Sequence, residues 1–269
     1  MSWQPTTILR FERSVPNSTG VARVVTDKGA GYLKAMGNPE GEHALACEWV
    51  GTNLARLLGL FTFDFAVIEV TAEDEVPLGT GGFARPGPAY LSRAEPGQSW
   101  GGSALELRHL ANPLHLTRLV LLDTWIRNAD RYPPTGHSHK PNRNNVFLSA
   151  ENAPAGKLLL KAMDYTQAFT NGRPLSPQLA TIDCVKDEGV YGRFPEFEPL
   201  LDRLELTRAV SDLKLITRER IAAIVSLVPT AWQVDQVARD ALTDFIMRRA
   251  EYVADDLPGR LWPQQLLGL

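Results

Sequence analysis

Asn128-Ala129-Asp130-Arg131, then Asn144-Asn145-Val146-Phe147-Leu148, then Asp164 behind the apolar run 158–163: this ordered set of segments decides how the chain is read. Upstream, Asn112-Pro113 offers a capping residue followed by Pro in a first turn, and Leu116, Leu119, Val120, Leu122, Trp125 and Ile126 predict a buried helix that ends just before Asp130. Short strands over 146–148 and 158–163, around a turn with Pro154 and Gly156, would pair as a hairpin. That hairpin brings the Asn145 amide oxygen and the Asp164 carboxylate together. An Asp, an Asn and a further Asp, each at the edge of an element, is what phosphoryl transfer from Mg-ATP uses. One carboxylate orients a hydroxyl nucleophile, and an amide oxygen with a second carboxylate holds the metal. Mg²⁺ suits such a pair because it takes few protein oxygens and completes its shell with phosphate and water. Asn144 is the alternative to Asn145. Asn128 and Arg131 are expected to hydrogen-bond Asp130 and keep it ionised, with a near-normal pKa. A weak base suffices here, because positioning and charge neutralisation supply most of the rate.

Working toward the N-terminus, strands are expected over 21–25 and 31–34 around the turn Asp27-Lys28-Gly29. Leu45, Trp49, Leu54, Leu57 and Leu58 predict a helix over 42–58, stopped by Gly59. A strand follows over 63–70. Residues 71–103 are rich in Gly and Pro, with a short strand at Ala89-Tyr90-Leu91, and read as a connection. Lys34, ending its strand, can reach nucleotide phosphates if Glu48 on the next helix holds it; taken singly, each is equally a solvated surface residue. Pro16-Asn17-Ser18-Thr19-Gly20 offers backbone N–H groups for phosphate, with Ser18 and Thr19 as contacts. There is no G-x-x-x-x-G-K-[ST], which excludes a Walker-type loop.

Toward the C-terminus, two amphipathic helices are expected over 207–227 and 231–255, the second capped by Thr230. The pattern predicts an α+β protein of two lobes, a sheet-rich one over 1–95 and a helical one over 96–269, with a ligand cleft between them. Adenine would lie against Leu91, Ser92, Arg93 and Ala94, whose backbone groups would read its edge.

The composition excludes several classes. The chain has 269 residues, is 44% apolar and 22% charged, and carries a net charge of −3. That balance gives no reason to expect nucleic acid or an anionic membrane as partner. Two cysteines, Cys47 and Cys184, do not make a disulfide scaffold or a CxxC metal site. The start lacks a basic, then apolar leader, and no apolar run spans a bilayer, so a reduced cytoplasmic protein is expected. His137 and His139, with His109 and His115 nearby in sequence, lack an acidic or Cys ligand to complete a zinc site. Asp123 and Arg127 are spaced i, i+4 and read as a helix-stabilising ion pair.

These segments resemble the HipA-like kinase family, in a short single-module form, and the lipid-kinase-like branch of the protein kinase fold. Tyr32-Leu33-Lys34-Ala35-Met36-Gly37-Asn38-Pro39-Glu40-Gly41 is similar to its strand with the ATP lysine and Gly-Asn-Pro turn. Glu48 with Ala55-Arg56-Leu57-Leu58-Gly59-Leu60 resembles the following helix. Asp123 to Arg131 resembles the catalytic segment with Asp130 in the catalytic place. Asn145-Val146-Phe147-Leu148 and Asp164-Tyr165-Thr166-Gln167-Ala168-Phe169 resemble the two metal-binding segments. The resemblance spans residues 16 to 170, roughly. It implies serine/threonine phosphorylation of a protein acceptor, with ATP and Mg²⁺. It also implies autophosphorylation on the phosphate loop, where Ser14, Ser18 and Thr19 are the hydroxyls. Two departures stand out. Residues 132–143 are inserted between Asp130 and Asn145, where kinases have about four intervening residues. Thr166 and Gln167 replace the usual Gly-His pair.

Overall fold

The computed structural model describes residues 3–15, 20–79 and 81–263. β1 (Ile8–Ser14), β2 (Ala22–Thr26), β3 (Gly29–Lys34), β4 (Phe65–Val70) and β5 (Gly87–Arg93) form an antiparallel sheet in the order β1-β2-β3-β5-β4. Thr26 pairs with Gly29, so only Asp27 and Lys28 form the turn, and Gly29 takes φ 104, which a residue with a Cβ rarely adopts. Side chains alternate across β3: Leu33 enters a small core with Val24, Ile68, Val70, Ala89 and Leu91. Tyr32 and Lys34 therefore face the other side. That alternation is what delivers Lys34 to a cleft.

α1 (His43–Leu57) follows β3 and packs against α3 (His115–Ile126), which is buried along nearly its whole length. β6 (Gly97–Ser99), β7 (Val146–Ser149) and β8 (Leu159–Ala162) make a second antiparallel sheet, with Val146 opposite Ala162. α2 (Ala104–Leu107), α4 (Ile182–Val185), α5 (Arg203–Lys214), α6 (Arg218–Ser226) and α7 (Gln236–Leu261) complete an α+β fold. The larger core joins α1, α3, the β6-β7-β8 sheet and the later helices around Trp100, Trp125, Phe194 and Phe245. Among the described residues no helix is long and apolar enough to cross a membrane.

Several boundaries differ from the sequence reading. The helix expected over 207–227 is two helices, because Thr217 leaves the helical path and caps α6 through the Arg220 amide at 3.4 Å. The last helix starts at Gln236 with Asp235 as its cap (2.8 Å to the Ala238 amide), while Thr230 begins a separate short turn. Asn112 does not cap α3. Its side chain bonds both backbone groups of Leu160, at 3.1 and 2.8 Å, and so fastens the edge of β8. β5 runs seven residues through Gly87-Pro88, since pairing with β3 and β4 overrides local propensity.

Candidate active site

A cleft of about 250 Å³ opens on the polar face of β3 and β5. Tyr32, Lys34, Tyr90 and Ser92 line it from the sheet, Glu48 and Thr52 from α1, and Met163 and Asp164 from beyond β8. Phe63 and Phe147 meet edge to face on its wall, with ring centroids 5.0 Å apart. Lys34 Nζ donates to Glu48 Oε1 and, at 2.9 Å, to Asp164 Oδ1. Glu48 Oε1 also accepts the Tyr165 amide at 3.0 Å, and the Thr166 hydroxyl donates to Asp164 Oδ1 at 3.2 Å. Three segments, at residues 34, 48 and 164, thus meet on one ammonium group.

Burial works against the Lys34 charge, but the Asp164 and Glu48 carboxylates outweigh it and raise the pKa of its ammonium above the usual range. Burial raises the Glu48 carboxyl, and Lys34 only partly offsets this. Asp164 is shifted the other way: burial opposes ionisation, yet Lys34 and its hydrogen bonds hold the carboxyl below its usual range. Asp164 sits at φ 61, an uncommon backbone for a residue with a Cβ.

The Asp130 carboxylate accepts a hydrogen bond from the Asn145 amide. Burial, reinforced by the nearby Asp164 charge, raises the Asp130 pKa, against the Asn145 bond and Arg131. The expectation of a near-normal value is thereby corrected. The expected hydrogen bonds from Asn128 and Arg131 are corrected as well, although the Arg131 charge still favours an ionised Asp130. Arg131 Nε donates to Asp123 Oδ2 at 2.7 Å, and its other nitrogens hold the carbonyls of Asn145 and Met163, the latter at 2.9 Å. Asn128 Nδ2 donates to Asp123 Oδ1 at 3.2 Å and to the Asp164 carbonyl at 3.3 Å. One buried carboxylate therefore orients two side chains, and these fix the backbone on both metal candidates.

The i, i+4 pairing of Asp123 with Arg127 does not form. α3 ends at Ile126, Arg127 turns left-handed at φ 54, and its guanidinium pairs with Asp187 at 2.9 Å instead. The i, i+4 spacing gave no sign that Asp123 is buried and orients Asn128 and Arg131. The signal available was its place in an otherwise apolar face. Gly51 was also passed over. A Cβ there would lie 2.5 Å from Tyr165 Cγ, so glycine lets α1 press against the Asp164–Tyr165 segment.

The nucleotide-edge residues fare unevenly. Ser92 and Arg93 line the cleft, but Leu91 is buried in the small core and Ala94 does not line the cleft. The Arg93 amide donates to Asp64 at 2.8 Å and the Ala94 amide to Ala30 at 2.9 Å, so neither remains to read an adenine edge. Glu95, unremarked in the sequence, lines the cleft and holds Lys161 and the Ser149 hydroxyl. Ser18 and Thr19 lie outside the described residues.

Asn145 and Asp164 fit a small hard cation. The β7–β8 register places them at the same end of the hairpin, and both offer oxygen donors. Among the described residues no group of three or more His, Cys, Asp or Glu could enclose a metal. Any ion held there would need phosphate and water for its remaining contacts, as Mg²⁺ takes them. His137 and His139 face each other through their Nδ1 atoms at 3.1 Å, without a third ligand.

A family model described as HipA-like kinase matches residues 24–256. The chain belongs to the HipA-like kinase family. No curated protein matches it. Among solved structures, the crystal structure of CtkA, a proinflammatory kinase of Helicobacter pylori, superposes with a TM-score of 0.62 over 97% of this chain and 98% of that one. Identity between the two is 10%, so the likeness is one of fold. Lys34, Glu48, Asp130, Asn145 and Asp164 all fall inside the range 24–256.

Proposed function

We propose that this HipA-like kinase is a Mg-ATP-dependent phosphotransferase acting on a serine or threonine hydroxyl of a protein. The observation that carries the reading is the convergence of Lys34, Glu48 and Asp164, with the Asp130–Asn145 pair held close by Arg131, near enough for the Asp164 charge to raise the Asp130 pKa. Lys34 would hold phosphate oxygens, kept in place by Glu48. Asp164 and Asn145 would hold Mg²⁺, which when bound neutralises charge on the transferred phosphoryl group. Asp130 would orient the acceptor hydroxyl and take up its proton, with Asn128 fixing the backbone at Asp164. Phe63 and Phe147 give the cleft an apolar wall suited to a nucleobase, in place of the committed amides of residues 93 and 94. The two-lobe division belongs to the same proposal, with 1–95 as one lobe and 96–269 as the other. Its boundary falls between β5 and β6, where the chain leaves the five-stranded sheet and enters the three-stranded one.

The test is phosphate transfer from labelled ATP to proteins of a cell lysate. Asp130→Ala should lower transfer roughly 10²- to 10⁴-fold while ATP still binds. Transfer at the wild-type rate by that variant would refute the assignment of roles.

A further inference from the structure

A second cavity, of about 330 Å³, lies between the inserted loop 132–143 and the segment following Asp164. It shares no lining residue with the nucleotide cleft. Its cationic lining is Arg127 and Arg173, with the His137 and His139 rings beside them, and among the described residues no Asp or Glu lines it. In a chain of net charge −3 this is a local inversion of sign.

Spare hydrogen-bonding capacity lies with Arg173, His139 and Asn171, whereas Arg127 is committed to Asp187 and the Phe169 carbonyl. The Arg173 guanidinium is exposed and, among the described residues, makes no ion pair, while its backbone is pinned by Thr170. Arg127 pairs with Asp187, but that carboxylate also accepts from the Tyr191 hydroxyl at 2.9 Å and the Gly189 amide at 2.7 Å. Its charge is spread over several donors. His137 and His139 present paired rings to the same space, and His137 is steadied by Asn171 at 3.3 Å. The Asn171 side-chain oxygen is buried without a partner.

Position gives the cavity its meaning. Arg127, which lines the cavity, opens the bend that carries Asn128 and Asp130, three residues before Asp130 along the chain. Its other wall is the insertion, the part of the catalytic region with no counterpart in the usual spacing. A guanidinium fork beside imidazoles is matched to a carboxylate or a phosphate monoester.

We propose that this cavity is an acceptor subsite that receives an anionic side-chain group, a carboxylate or a phosphate, on the protein whose hydroxyl is phosphorylated. The inference rests on the kinase reading and adds a recognition element to it. Arg173 and His139 bind the acceptor, with His137 positioning the His139 ring; they take no part in the transfer step.

The experiment uses serine- and threonine-containing peptide libraries in which glutamate or phosphoserine is placed at each flanking position. Transfer from ATP and peptide binding by fluorescence anisotropy are measured for wild type and for the double variant Arg173→Gln/His139→Gln. Wild type should favour peptides with the anion at one fixed offset by about tenfold, the discrimination expected of a charge-assisted hydrogen-bonded pair. In the variant that preference should vanish through a raised KM, with kcat and ATP affinity retained. O-phosphoserine should compete with peptide for wild type and not for the variant. Equal binding of neutral and anionic peptides by wild type, or an unchanged preference in the variant, would overturn the subsite. So would phosphoserine binding that leaves peptide KM untouched. A wild-type protein that binds no ATP would instead overturn the kinase reading, and the anisotropy measurement still decides whether anionic peptides enter the cavity.

Discussion

Two ion-pair systems meet at the backbone of Met163 and Asp164 and behave as opposites. Asp123 and Arg131 are both fully buried, 0% exposed, and every bond they make is to the chain itself. Lys34 and Asp164 retain 13% and 20% side-chain exposure, and they line an open cleft with Glu48. The first system holds backbone carbonyls at Asn145 and Met163. The second is a set of charges that a ligand can enter, trading one partner for another. A buried pair broken on one side leaves an uncompensated charge in low dielectric, whereas a cleft pair can take up water, a proton or a ligand. Access to solvent therefore separates charges that only hold the fold from those left open to a ligand.

Substitution at Arg131 should bring out the contrast most strongly. Arg131→Ala leaves Asp123 buried and three acceptors unpaired, and should cost about 3–5 kcal/mol of stability by denaturant unfolding. A smaller loss would show that water enters the clamp, and the two systems would then not differ in kind. Gly51→Ala comes next. Its Cβ would overlap Tyr165, so either α1 or the Asp164 segment must shift, at a cost of about 1–3 kcal/mol and with weaker ATP binding. An unchanged melting temperature together with unchanged ATP affinity would mean that the close approach has no structural role. Lys34→Met should have the smallest effect on stability, about 1 kcal/mol, because burial already favours a protonated Glu48, which neutralises itself when the ammonium is lost. ATP affinity should nonetheless fall about tenfold or more, as expected when a charged phosphate contact is removed. If Lys34→Met melted as low as Arg131→Ala, the cleft system would be structural after all.

The order of Lys34, Glu48, Asp130, Asn145 and Asp164 was legible because each lies within or next to an element that local pattern reveals, Glu48 inside α1 and the others at element ends. The turn at 27–29 marked the strand that Lys34 ends, and the apolar face of α3 placed Asp130 just past a buried helix. The family resemblance read from those segments agrees with the match over residues 24–256. Other features were misread for physical reasons. Asp123 and Arg127 have helix-pair spacing, but spacing does not reveal that α3 stops between them at Ile126. Arg93 and Ala94 looked like free linker amides because nothing local shows that Asp64 and Ala30 lie within reach.

By itself the sequence determined which chemical groups exist, their order, and the elements whose ends carry them, since propensity and periodicity are properties of neighbours along the chain. Only the tertiary structure decided who bonds to whom. Arg131 is adjacent to Asp130 in sequence yet belongs to Asp123, eight residues back, and Lys34 finds Asp164 across 130 residues. Partner choice depends on packing, burial and local dielectric, which arise only when distant segments come together.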